Sequence, residues 1–201
     1  MSTIYKHFAE QTLLPIRLRD VKAFILKTGE VSVIARYPID DMDDLILRGM
    51  LRVYTDRPPY AIEDRVMAQI AYHSGLHPYE VRLVCCKEML HLLDNHHATA
   101  CDRDKVSKLV EEITLPMEAV ASIPGLLDHT KMLHALAILL PPAALTVLRD
   151  AHANGKLSAE NVSKIARIPE EWARLAMSEA WLEVCEKLKE NFMLDKGAKA
   201  A

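Results

Sequence analysis

Apolar positions recur along this chain at two spacings, and each spacing predicts an element. Leu18–Thr28 (LRDVKAFILKT) repeats at three and four residues and reads as an amphipathic helix, closed by Gly29, a residue suited to a left-handed cap. Val31–Arg36 (VSVIAR) alternates weakly and predicts a short strand. Asp40–Met50 carries four aspartates in its first turn, a placement that complements a helix dipole, and predicts a helix. Leu51–Tyr54 is a candidate strand, and Arg57-Pro58-Pro59-Tyr60 breaks the chain. Arg65–His73 predicts a third strand, ended by the turn Ser74-Gly75. The next helix opens at Pro78 with Glu80 close behind and runs to about Asp94.

The second half reads as helical throughout. Lys105–Thr114 stops before Pro116, and Pro116 and Pro124 bracket a short element. Asp128–Leu140 is strongly apolar and stopped by Pro141-Pro142; Ala143–Asn154 follows, capped by Gly155. Ser158–Ala166 and Pro169–Leu194 complete a helical tail. The expected fold class is therefore α+β, mostly helical, with a small sheet confined to the N-terminal half.

The helix from Pro78 carries the most chemistry. Its segment VRLVCCKEMLHLLD puts Lys87, Glu88, His91, Asp94 and Asn95 within an arc of about 120°, with nearly everything else apolar. One reading is an amphipathic helix with its polar side in water. The other is a site in which Glu88 and His91 are spaced as in an HExxH zinc helix, where two His one turn apart bind the metal and the intervening Glu activates water. Here Lys87 stands where the first His would be.

Composition narrows the function classes. The 201 residues carry 25 Lys+Arg against 28 Asp+Glu, a net charge of −3, so no polybasic footprint for nucleic acid exists at whole-chain level. No apolar run reaches about 18 residues, which excludes a membrane span by composition, and the charged N-terminus does not read as a signal peptide, so the cytoplasm is the expected compartment. Cys85, Cys86, Cys101 and Cys185 form no CxxC pair; they read as small apolar side chains and not as a zinc ribbon or redox motif.

The stretch VMAQIAYHSGLHPYEVRLVCCKEMLHLLD resembles the strand–turn–active-helix segment of ImmA/IrrE-type metallopeptidases, a zincin-like family. DHTKMLHALAILLP is similar to that family's acidic residue followed by an Ala-rich helix, and LSAENVSKIARIPEEWARLAM resembles its closing helical pair. The resemblance spans roughly residues 60–180. It implies a general-base position at Glu88, metal-ligand positions at His91 and Asp128, and a cleft lined by Tyr72, His73 and His77. His129, Asp102 and Asp104 are the other candidates for the acidic or third ligand. Lys87 departs from the pattern. A lysine must lose a proton held near pKa 10.4 to bind a metal, about 4.6 kcal/mol at pH 7. If it stays charged about 4 Å from a divalent ion, the repulsion is roughly 8 kcal/mol at an effective dielectric of 20. The ammonium can instead stand in for the metal's charge, beside Glu88 or Asp128.

Other constellations carry less. His96 and His97 lie past the helix end and share no face with His91; His73 or His77 could replace a ligand. Ser158–Met177 has helix-turn-helix spacing, but its second helix opens Pro169-Glu170-Glu171, and two carboxylates oppose phosphate binding. Trp172, Leu175 and Ala176, then Trp181, Val184 and Leu188, form an apolar stripe that reads as core or as a partner surface. The expected organisation is a zincin-like core over 1–155 and a helical closing segment over 156–201. The expected function is a degenerate, non-catalytic, protein-binding pseudopeptidase without a cofactor, whose partner class, by resemblance, is a helix-turn-helix repressor. The alternatives are an active zinc endopeptidase using a replacement ligand and a DNA-binding regulator acting through 158–177. A homo-oligomer is left open, and no membrane partner is expected.

Overall fold

The computed structural model of the chain describes residues 2–41, 48–57, 62–93 and 123–194, without the side chains of 2, 123–128 and 189–194. The expected helix at Lys105–Thr114 and the candidates His96, His97, Cys101, Asp102 and Asp104 lie outside these residues. Among the described residues the fold is α+β, with eight helices and one three-stranded mixed sheet. Two compact units emerge, one from residues 18–132 and one from residues 1–17 with 133–201.

The first unit holds the sheet. Helix α2 (Leu18–Thr28) buries Leu18, Val21 and Ile25 on one face, as its three-and-four spacing requires. Strands β1 (Val33–Ile39), β2 (Gly49–Asp56) and β3 (Arg65–His73) form a sheet of order β1-β3-β2. β1 runs parallel to β3, with Ile34 opposite Ala68, and β2 runs antiparallel to it, with Leu51 opposite Ile70. Helix α3 (Pro78–His91) packs against α2, β2 and β3. Ile25, Ile34, Ile70, Val84, Met89 and Leu90 are core residues, each contributing about 1.5–3 kcal/mol relative to exposure.

The expected helix at Asp40–Met50 is corrected at its end: Gly49 and Met50 belong to β2, opposite Tyr72 and Ala71. Pairing with β3 and the close approach of Gly49 to α3 hold these two residues in the strand, and residues 42–47 of the expected helix lie outside the described residues. Gly29 closes α2, its N–H donating to the Ile25 carbonyl at 2.8 Å, but its φ is not left-handed.

The second unit is helical. An N-terminal helix α1 (Ser2–Ala9), absent from the sequence reading, buries Ile4 and Phe8. Helix α4 (Ile123–Leu139) starts five residues earlier than its apolar run suggested, and its residues from Leu133 onward belong to this unit. Helix α5 (Pro142–Ala153) ends at Gly155, which takes a left-handed φ of 68°. Helix α6 (Ala159–Ala166) is capped by Ser158, whose hydroxyl accepts from the Asn161 N–H. Arg167 turns the chain at φ 53°, and buried Ser163 holds the turn by donating to the Ile168 carbonyl at 2.6 Å. The helix expected over Pro169–Leu194 is two helices, α7 (Glu170–Met177) and α8 (Glu179–Leu194), broken at an extended Ser178. Arg149 secures the break, donating to the carbonyls of Ala176 at 3.1 Å and Ser178 at 2.7 Å and pairing with Glu179. Trp181 and Leu188 are buried, in line with the core reading of that stripe. No single helix among the described residues is long and apolar enough to cross a membrane.

Candidate functional site

The site-bearing helix α3 begins in a dense set of polar contacts. The His77 N–H donates to Glu80 at 3.0 Å, and His77 Nδ1 accepts from the Tyr79 N–H at 3.3 Å. This reciprocal arrangement satisfies donors that a helix start leaves open, and Pro78 has no N–H to satisfy. Arg48, just ahead of β2, pairs with Glu80 at 3.1 Å. His73 Nδ1 accepts from the Gly75 N–H at 3.2 Å. Of the three residues expected to line a cleft, His73 and His77 are thus engaged in the turn and the cap. Tyr72 is half-buried in β3, opposite Gly49.

From Leu83 to Leu90 every side chain is buried, the charged Lys87 and Glu88 included. The expectation of a polar stripe facing water fails for these two. Lys87 Nζ lies 2.9 Å from the Glu88 carboxylate, with the side chains 9% and 6% exposed. Adjacent helical positions diverge by about 100°, so the lysine stem must curl toward its neighbour along apolar surface. Val84, Glu88 and His91 share one face at spacings of four and three.

Gly49 meets that face. A Cβ at residue 49 would stand 2.3 Å from Val84 Cγ1 and 3.4 Å from Glu88 Oε1. Only glycine lets β2 approach so closely, and the strand backbone therefore covers the carboxylate. This contact was not legible in the sequence; its signal is a glycine at the start of a strand. His91, the last residue of α3, is half-buried.

The vicinal cysteines are buried, as the sequence implied. Burial pushes the Cys85 thiol up to about 11, opposed by the Arg36 guanidinium that hydrogen-bonds it, with Glu88 adding to the rise. Burial likewise pushes Cys86 up to about 12, against Arg82. Both are protonated near neutrality and neither is an activated nucleophile.

Asp128 lies on α4, and its side chain is outside the described residues. Its neighbour His129 is half-buried, with a buried Nε2 that has no hydrogen-bond partner among the described residues. Sequence reasoning missed Lys131 and His134, both buried. Their signal was present: two ionisable residues three apart inside the apolar run IPGLLDHTKMLHALAIL. Elsewhere, a half-open cavity of about 290 Å³ in the helical unit is lined by Tyr5, Leu145, Arg149, Leu182 and Cys185 among others. It holds none of the sequence-derived candidates.

The residues of α3 do not suit a zinc ion. Where the resemblance would put the first ligand stands a buried lysine, and the carboxylate it would put as general base is that lysine's ion-pair partner. A divalent ion there would have to displace or deprotonate that ammonium, and both are costly. Among the described residues no three His, Cys, Asp or Glu side chains converge as a metal site. No family model, curated protein or solved structure matches the chain.

Proposed function

We propose that the chain is a degenerate ImmA/IrrE-like pseudopeptidase, a cytoplasmic protein that acts by binding another protein and not by hydrolysing peptide bonds. The observation that carries this reading is the closed pair of Lys87 with Glu88 at 2.9 Å, buried in the helix that would have to present a metal-activated water. A general base must reach the proton it removes; Glu88 is held by an ammonium on one side and faces the β2 backbone on another. By the family resemblance, the partner class is a helix-turn-helix repressor.

DNA binding through 158–177 receives less support. The basic side chains on these helices are paired within their own helix, Lys164 with Glu160 at 2.5 Å and Arg174 with Glu170 at 2.6 Å. A phosphate would have to compete with a carboxylate at each.

Zinc titration followed by calorimetry tests the proposal, using wild type and Lys87→His. Wild type is expected to bind no stoichiometric zinc, while Lys87→His, which rebuilds HExxH, gains measurable affinity. Tight one-to-one zinc binding by wild type, with cleavage of an unstructured protein substrate, would overturn it.

A further inference from the structure

The two edges of the sheet are built differently. On β1, Pro38 supplies no N–H, and the Lys22 ammonium donates to the Ile34 carbonyl at 2.6 Å. Prolines and lysines of this kind are how natural sheets close an edge. β2 has neither. It pairs with β3 over eight residues, Gly49 to Asp56, and among the described residues its other side is bonded to nothing.

The pairing fixes which groups face outward. The His73 N–H donates to the Arg48 carbonyl at 3.2 Å. In an antiparallel ladder the bonding direction alternates along the strand, so Arg52, Tyr54 and Asp56 bond toward β3, and Leu51, Val53 and Thr55 point their N–H and C=O away from it. Side chains alternate too. Gly49 lies against α3, so Arg52, Tyr54 and Asp56 share the face turned away from that helix. Arg52 and Asp56 are exposed, and the Arg52 guanidinium lies 5.3 Å from the Tyr54 ring centre.

The run Arg52-Val53-Tyr54-Thr55-Asp56 is self-complementary when laid antiparallel on itself about Tyr54. Arg52 then stands opposite Asp56 of the partner subunit, and the same pair recurs on the other side of the two-fold axis. The outward groups of Val53 and Thr55 meet each other as hydrogen-bonded pairs. The Tyr54 and Arg52–Asp56 positions fall on non-hydrogen-bonded pairs, where cross-strand side chains are closest. Such an interface uses the same patch on both copies and closes at two, because the β1 edge is blocked.

We propose that the outer edge of β2 is a homodimer interface, two copies joining antiparallel about Tyr54 into one six-stranded sheet. The partner it fits is a second copy of this chain.

A charge swap on the full chain tests this, read by sedimentation at micromolar concentration with circular dichroism as the folding control. Wild type is expected to be a dimer. Arg52→Asp and Asp56→Arg each set two like-charge pairs opposite one another and should weaken it by about tenfold or more. The double variant Arg52→Asp/Asp56→Arg restores opposite charges and should recover the dimer. Tyr54→Cys should oxidise to a covalent dimer faster than wild type, because directly opposed Cα atoms at about 4.5 Å suit a disulfide. A monomeric wild type, a dimer insensitive to the single reversals, or singles that the double swap does not rescue would each overturn the proposal.

Discussion

Two kinds of acid–base pair sit on the helices of this protein, and they differ both in spacing along the chain and in surroundings. On α6 and α7, Lys164 with Glu160 and Arg174 with Glu170 join residues four apart, in the helical spacing that suits such pairs, with every side chain at least 41% exposed. On α3, Lys87 and Glu88 are sequence neighbours, a spacing that does not naturally face two side chains, and both are buried. Water screens the first kind, so either partner can be lost at little cost. The second is closed to water, so each charge depends on the other. A pair with poor local geometry that is nonetheless buried marks a place where the fold is built around charge.

The largest expected contrast follows directly. Lys87→Met leaves a carboxylate buried without its cation and should cost about 3–5 kcal/mol in chemical denaturation at neutral pH. Arg174→Ala is its exposed counterpart.

Gly49→Ala tests the backbone that covers the same carboxylate. Its Cβ would stand 2.3 Å from Val84 Cγ1, and overpacking of this kind costs about 1–3 kcal/mol. A variant as stable as wild type would mean that β2 and α3 separate freely, and the shelter of Glu88 with them.

The buried thiols extend the contrast to pH. The ordinary value is 9.0, and burial raises Cys85 to about 11 and Cys86 to about 12. Above about pH 9 the unfolded chain loses these protons first, so the native state binds more protons and stability falls as pH rises. The contribution is fully present below pH 9 and is lost toward the folded values. Thermal unfolding across this range should show the decline, and Cys85→Ala/Cys86→Ala should flatten it. In native protein at about pH 8, iodoacetamide should modify half-exposed Cys185 well ahead of Cys85 and Cys86 by mass spectrometry.

The smallest effect belongs to the exposed pair: Arg174→Ala should change stability by no more than about 0.5 kcal/mol. A loss approaching that of Lys87→Met would erase the distinction between the two kinds of pair.

Much of the sheet and most helices were legible because local signals agreed with the tertiary ones. Pro78 followed by Glu80 announced α3, and Gly155 ended α5 in the left-handed conformation its residue type favours. The signals failed where a distant group decided the outcome. Pairing with β3 turned Gly49 and Met50 into strand, and the Arg149 guanidinium separated α7 from α8 at Ser178. In the site, the spacing of Lys87, Glu88 and His91 was visible, and so was the option of an ammonium beside Glu88; the strand that covers the carboxylate was not. A helical wheel shows a polar stripe without showing what lies over it; β2 does, through a glycine.

The most direct test of that closed pair is the double-mutant cycle of Lys87→Met and Glu88→Gln, read by chemical denaturation at neutral pH. If the two charges depend on each other, the double variant is more stable than Lys87→Met alone, and the coupling exceeds about 1 kcal/mol. Additive losses, or a Lys87→Met protein as stable as wild type, would contradict a buried pair whose two charges depend on each other.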